Sequence, residues 1–201
     1  MNLLILYPKP FNVVAKFNRK LDRIISNKVI ESVSYFHDDN LLINDYFSEI
    51  KANISIRCIK NSDDFKEVTH AIVFDDGEEF GDEVQQLSAK SIPHRIIKVK
   101  LTRVVNISRE IQFKGEKSTA KYEYIGRGSY WGNPHSMFEE GDGRDEVIRK
   151  YKYDFDFEKF PHIEKTEVYK LAGKRLGCFC KPAACHGDVL ADYLNSWDDG
   201  K

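Results

Sequence analysis

Residues 69–77 read THAIVFDDG, a continuous apolar run that stops at Asp75-Asp76-Gly77. A strand with one face in water alternates apolar and polar residues, so an unbroken run suits a parallel strand buried on both faces. Upstream, residues 3–7 (LLILY) form a second such run. Pro8 and Pro10 break it, and a helix over 13–25 follows, with Val14, Phe17, Leu21 and Ile24 at helical spacing. Residues 40–50 give another amphipathic segment, and Ile54, Ile56 and Cys58 alternate as in a strand. Downstream, 82–89 reads as a helix, Pro93 breaks it, and 95–101 supplies the next strand. This alternation predicts an α/β fold: a Rossmann-like open, mostly parallel sheet with helices on both faces.

Residues 106–121 are polar and show no sustained period, which reads as a connection or an edge hairpin. Beyond them come a glycine-rich loop, a helix over 145–153, an aromatic loop to 160, a helix near 163–172, a strand over 176–180 and a helix over 186–197. These form a smaller α/β C-terminal part. The reading divides the chain into 1–108 and 120–198.

The chain has 201 residues with 31 Lys and Arg against 32 Asp and Glu, balanced in each half. A purely electrostatic nucleic-acid binder needs a basic excess and is disfavoured. No stretch approaches the roughly 20 apolar residues that cross a bilayer. The N-terminal run is too short for a signal peptide and lacks a preceding basic residue. A cytoplasmic protein with no membrane partner is expected. Four cysteines are too few for a disulfide scaffold, yet Cys178, Cys180 and Cys185 fall together.

Three constellations could carry chemistry. In 124–134, Gly126, Gly128 and Gly132 free the backbone for close approach to a ligand, and Arg127 and Ser129 suit an anion such as a phosphate. Tyr130 and Trp131 add flat surfaces for a base or sugar. The G-x-G-x-x-x-G spacing is not the dinucleotide fingerprint, and a tight structural turn with core aromatics is the other reading. Asn133 and His135 complete this turn. In 177–188, a strand ending in C-x-C, then Lys181 and a loop, leads to Cys185-His186-Gly187 at a helix start, where free N–H groups favour an anion and lower a thiol pKa. C-x-C-x₄-C-H is not a usual zinc spacing. Cys178 and Cys180 would share a sheet face while Cys185 sits beyond the turn, so no metal is expected. Zinc on Cys178, Cys180, Cys185 and His186 is the alternative. In 74–83, carboxylates directly after a buried parallel strand occupy the crevice where open α/β sheets bind ligands. Asp76 or Glu83 there could serve as acid, base or nucleophile; a solvated turn is the plain alternative.

The segments IGRGSYWGNP, DGRDEVIRKY and LGCFCKPAACHGDVLADYL together resemble the DUF4326 family, small domains found largely in bacteriophages and bacteria, over about residues 121–195. The resemblance puts Arg127, Ser129, Trp131, Gly132, Asn133, Pro134, Cys178, Cys180, Pro182, Cys185, His186 and Gly187 on family positions. It implies a site without naming a reaction. The N-terminal half is similar to the SLOG and nucleoside deoxyribosyltransferase-like group of Rossmann-type folds, through THAIVF, the Asp-Gly turn, Glu83 and SIPHRIIKV. That group binds nucleotides or cleaves N-glycosidic bonds.

These resemblances imply a phage-type protein that binds or processes a nucleotide, nucleoside or nucleotide-sugar in the host cytoplasm. The expected reaction is glycosidic-bond cleavage or glycosyl transfer, linked to DNA-base modification or host nucleotide signalling. Glu83, Asp76 and His186 are the catalytic candidates. Gly126, Arg127, Gly128, Ser129, Tyr130, Trp131, Asn133, His135, Cys180, Lys181, Cys185 and Gly187 are the ligand-binding ones. DNA or a host protein is a further candidate partner. The alternatives are a non-catalytic binder or inhibitor of a host defence nucleotide or protein, and a zinc-stabilised interaction module.

Overall fold

A computed structural model of the chain describes residues 1–50, 53–113, 115–137 and 141–200. The chain divides into two compact units: Met1–Val99 together with the residues from Ser196 onward, and Lys100–Asn195.

The first unit follows the sequence pattern closely. Its elements are β1 (Asn2–Leu6), α1 (Val14–Ile25), β2 (Ser32–Tyr35), α2 (Leu42–Glu49), β3 (Ser55–Cys58), a 3-10 turn (Ser62–Glu67), β4 (His70–Asp75), α3 (Gly81–Ala89) and β5 (His94–Lys98). All five strands run parallel in the order β3-β2-β1-β4-β5. The two unbroken apolar runs, β1 and β4, are neighbours, paired from Leu3 with His70 to Leu6 with Val73. Side chains alternate across a strand, which splits these runs between two cores. Leu4, Leu6, Ala71 and Val73 pack with Phe65 and with Leu87 of α3. On the opposite face Phe74 stacks on Phe17 of α1 at 5.2 Å and on Phe11 at 5.1 Å. Both faces of the sheet are therefore covered, as its central apolar strands require.

Helix α1 buries Phe17, Leu21 and Ile25, one residue per turn, along a single stripe. Its outer side takes up the end of the chain: Arg19 donates to both carboxylate oxygens of Asp198 at 3.0 Å, and Lys16 donates to Asp199 at 3.1 Å.

The second unit contains β6 (Arg103–Asn106), β7 (Tyr122–Tyr124), α4 (Arg144–Asp156), a 3-10 helix (Lys165–Leu171), β8 (Arg175–Cys178) and α5 (His186–Asn195). Its sheet is parallel, in the order β6-β8-β7. Two elements of this unit extend the sequence reading. The strand β6 lies where the sequence reading ends its first part, and it pairs with β8 of the second unit. The helix read at 163–172 is a 3-10 helix over Lys165–Leu171. Ile125, Trp131, Tyr151, Phe155, Val168, Leu176 and Leu190 belong to one buried core. Asn195 closes the unit at its far end. Its side chain accepts from the Thr102 N–H at 2.8 Å and donates to the Thr102 carbonyl at 2.9 Å. Among the described residues no helix is long and apolar enough to cross a membrane.

Candidate functional site

β8 is the middle strand of its sheet and ends at Cys178, and α5 begins at His186. The loop between them is held from both ends. Asn106, closing β6, donates its side-chain amide to the carbonyls of Phe179 (3.1 Å) and Lys181 (2.5 Å). At the helix start the Cys185 N–H donates to Asp188 Oδ2 and the Asp188 N–H returns to the Cys185 carbonyl, both at 2.9 Å. This reciprocal cap satisfies donors that a helix terminus otherwise leaves without partners. Lys181, one of the expected ligand-binding residues, pairs with Asp188 at 2.5 Å.

The loop brings together three sulfurs that the sequence reading kept apart. Cys180 has already left the strand, so alternation no longer governs it, and the turn returns Cys185 over the strand end. The Cys178 and Cys180 sulfurs are 3.4 Å apart, and the three sulfurs all lie within 4.8 Å of one another. Cys178 and Cys185 are buried and Cys180 half-buried, and all three are free thiols. A hydrogen bond from the Cys185 thiol holds the Cys178 thiol down at about 5 against the effect of its burial. The same bond, with burial, pushes Cys185 up; burial followed by the neighbouring Cys178 pushes Cys180 up.

His186 is buried behind this cluster, with Tyr151 edge-on to its ring at 4.9 Å. Its Nε2 lies 2.8 Å from the Ile125 carbonyl oxygen. A carbonyl can only accept, so Nε2 carries the proton. Burial pulls the imidazole pKa down. Its Nδ1 therefore offers a lone pair, 3.7 Å from the Cys185 sulfur.

Ile125 opens the glycine loop. Consecutive turns, Ser129 N–H to Gly126 O and Gly132 N–H to Ser129 O, both at 3.1 Å, wind it tightly. Gly128 sits at φ +82°, a conformation side chains disfavour, and a Cβ on Gly132 would lie 2.7 Å from the Gly126 carbonyl. Much of the glycine content thus serves the loop's own winding. Trp131, expected as a stacking surface, is buried at 4% exposure in the core, and its carbonyl accepts from the Tyr151 hydroxyl at 3.0 Å. Tyr130, at 43%, is the aromatic left facing solvent. The Asn133 side chain is committed to the Val147 carbonyl and the His135 N–H.

Two hollows adjoin here, and Arg127 and Asn133 line both. The smaller, about 120 Å³, is also lined by His135, Arg144, Cys178, Cys180, Cys185 and His186. The larger, about 480 Å³, is floored by Gly128, Ser129 and Tyr130, with His162 at its side. The Ser129 hydroxyl is buried there with no hydrogen-bond partner among the described residues. His135 pairs with Asp154 at 2.7 Å. Arg144, absent from the sequence-based site, donates to the Ala184 carbonyl at 3.1 Å. A signal for it did exist. A cation in a helix's first turn opposes the helix dipole, so an arginine opening α4 asks for another reason to be there.

The remaining candidates belong to the first unit. Its strand order reverses between β1 and β4, the position where open α/β sheets form a crevice at their carboxyl ends. The carboxylates there are largely engaged by their own loops. Asp75 accepts from the Gly77 N–H and pairs with Lys98. Asp76 accepts from the Glu78 and Glu79 N–H groups at 3.2 and 3.4 Å, an arrangement that shapes the turn into α3. Glu83 lies in the first turn of α3, half-buried.

Two family models match the chain: the minimal SLOG domain over residues 1–105, and a domain of unknown function, DUF4326, over 105–196. An uncharacterized 12.4 kDa protein in the nrdA-td intergenic region of Enterobacteria phage T4 is 40% identical over 72 residues. That stretch is 35% of this chain and 65% of the phage protein. No solved structure matches.

Proposed function

The chain belongs to the minimal SLOG family through its first 105 residues, and from that premise we propose that it handles a nucleotide or nucleoside, which the second unit binds in the paired hollows around Arg127. The observation that carries this reading is that Arg127 lines both hollows. The larger falls in the volume range of small-molecule sites, and the smaller does not. A phosphate held by Arg127 and Arg144 next to the cysteines leaves the nucleoside part over the glycine loop, with Tyr130 and His162 beside it and the Ser129 hydroxyl ready to bond it. In a chain with no basic excess, the anion is gripped by these local guanidinium groups rather than drawn in by a general field.

The test is a panel of nucleosides, nucleotides and nucleotide-sugars read by melting temperature and then by calorimetry. A charge-assisted hydrogen bond contributes about 1.5–3 kcal/mol, so R127A is expected to weaken the best ligand roughly 10- to 100-fold. Equal stabilisation of R127A and the parent across the panel would sink the reading.

A second reading concerns chemistry in the first unit and rests on its strand order. N-glycosidic hydrolysis adds water across the bond between C1′ and the base, the hydroxyl going to the sugar and a proton to the base. Glu83 is the carboxylate we assign to this step, because the Asp76 carboxylate is engaged by its own turn. Product analysis with the parent and with E83Q decides it. Release of free base by the parent and not by E83Q supports cleavage; no turnover by either supports a binder that holds its ligand intact.

A further inference from the structure

Three thiols from three different local settings converge on one point: the end of a central strand, the loop after it, and the cap of the following helix. Small buried cysteines often serve only as compact apolar packing, but packing does not require their sulfurs to meet. Around a tetrahedral cation with metal–sulfur bonds near 2.3 Å, two ligating sulfurs stand about 3.8 Å apart. Cys178 and Cys180 are already at 3.4 Å, and no sulfur pair in the trio exceeds 4.8 Å. Adjustments of about an ångström or less would complete the geometry.

We propose that Cys178, Cys180 and Cys185 form a three-thiolate site for a soft, tetrahedral divalent cation of the zinc class, with its fourth coordination position opening into the cavity these residues line. The surroundings suit such an ion. Three thiolates and one divalent cation leave a net charge of −1, and the same cavity is lined by the cations Arg144 and Arg127. The Gly187 N–H points at the Cys185 sulfur at 3.4 Å, the kind of donor that orients and tunes a ligating thiolate. Asn106 and Asp188 fix the loop on either side, so the donors are held in place rather than gathered on binding. His186 stands next to the cluster, its Nδ1 3.7 Å from the Cys185 sulfur and its ring locked through Nε2. Three protein ligands with one position left open is the arrangement of reactive zinc centres, whereas purely structural sites are closed by four. The spacing C-x-C-x₄-C matches no usual zinc knuckle because all three ligands come from a single strand-turn-helix.

This inference shares its cavity with the nucleotide reading but does not rest on it, and its experiment contains no nucleotide. The full-length protein is purified without chelator, its metal content is measured by elemental analysis, and the metal-free form is titrated with Cd²⁺ and Co²⁺. Thiolate-to-metal charge-transfer absorption saturating at one equivalent is expected, together with the visible bands of tetrahedral Co²⁺. C178S, C180S and C185S should each weaken binding by more than the roughly 10- to 100-fold that loss of an outer-shell partner causes. C58S, altering the exposed cysteine of the first unit, should bind as the parent does. A readout on the unaltered protein covers the case in which a serine variant does not fold: Cd²⁺ should protect Cys178, Cys180 and Cys185 from alkylation and leave Cys58 reactive. Absence of charge-transfer absorption, or protection confined to Cys58, overturns the proposal.

Discussion

The imidazole of His186 donates from Nε2 to the carbonyl oxygen of Ile125 at 2.8 Å. One buried bond thus joins the residue that opens the glycine loop to the residue that opens α5, 61 positions later. The two conspicuous motifs of the C-terminal half meet physically at this point.

Removing the donor leaves the Ile125 carbonyl buried without its partner, a loss of about 1–3 kcal/mol. His186→Ala is expected to lower the melting temperature by roughly 3–10 °C in metal-free buffer, with His186→Gln, which retains a donor, losing less. Equal losses in the two variants would show that ring packing against Tyr151, not the bond, is what His186 contributes.

Helix α5 approaches its sheet through Gly187. A Cβ there would fall 2.3 Å from Ile125 Cδ1 and 3.2–3.3 Å from the Val104 methyls. Gly187→Ala should therefore destabilise by about 1–3 kcal/mol, as overpacking does. Ile125→Val removes the colliding methyl. The double variant should be more stable than the sum of the single losses predicts, which denaturant titration of all four proteins would measure.

Arg144 reaches the cavity from the first turn of α4 and is half-buried there. Arg144→Ala is expected to weaken a phosphate-bearing ligand about tenfold or more and to leave the corresponding nucleoside unaffected. Calorimetry on the two ligands separates the cases; an equal loss for both would remove Arg144 from phosphate recognition.

At the end of β4, burial draws the Asp75 carboxyl pKa upward, but Lys98 and the Gly77 N–H outweigh it and hold the group below the ordinary carboxylate range. A depressed native pKa stabilises the fold above the unfolded value, near 3.9, and that contribution fades as pH falls through the lowered native value. Asp75→Asn should melt below the parent at pH 7, and the gap should close as the solution is taken below about pH 4. A gap that persists undiminished in acid would exclude the charge as its source.

How much of this was legible in the sequence depended on whether the signal was local. β1 and β4 announce themselves, because a strand covered on both faces must be apolar throughout, and α1 shows its Phe17-Leu21-Ile25 stripe directly. β6 does not: RVVN is four residues long and half-buried throughout, with no alternation to read. The convergence of the three sulfurs was hidden because the loop's course is set partly by Asn106, more than 70 residues upstream. Trp131 is ambiguous in the sequence for a related reason. An aromatic beside glycines suits a ligand platform or a core equally well, and only the packing of Tyr151 and its neighbours decides which.

The ion pairs from Arg19 to Asp198 and from Lys16 to Asp199 mean that the first unit is not finished when its own sheet has been synthesised. The residues that complete it leave the ribosome after the strands and helices of the second unit. A nascent chain must therefore carry the N-terminal sheet without its final clasp while about a hundred further residues emerge, several seconds or more at typical elongation rates. The late arrival of this short acidic segment makes the fastening of the first unit a report that translation has passed through the second.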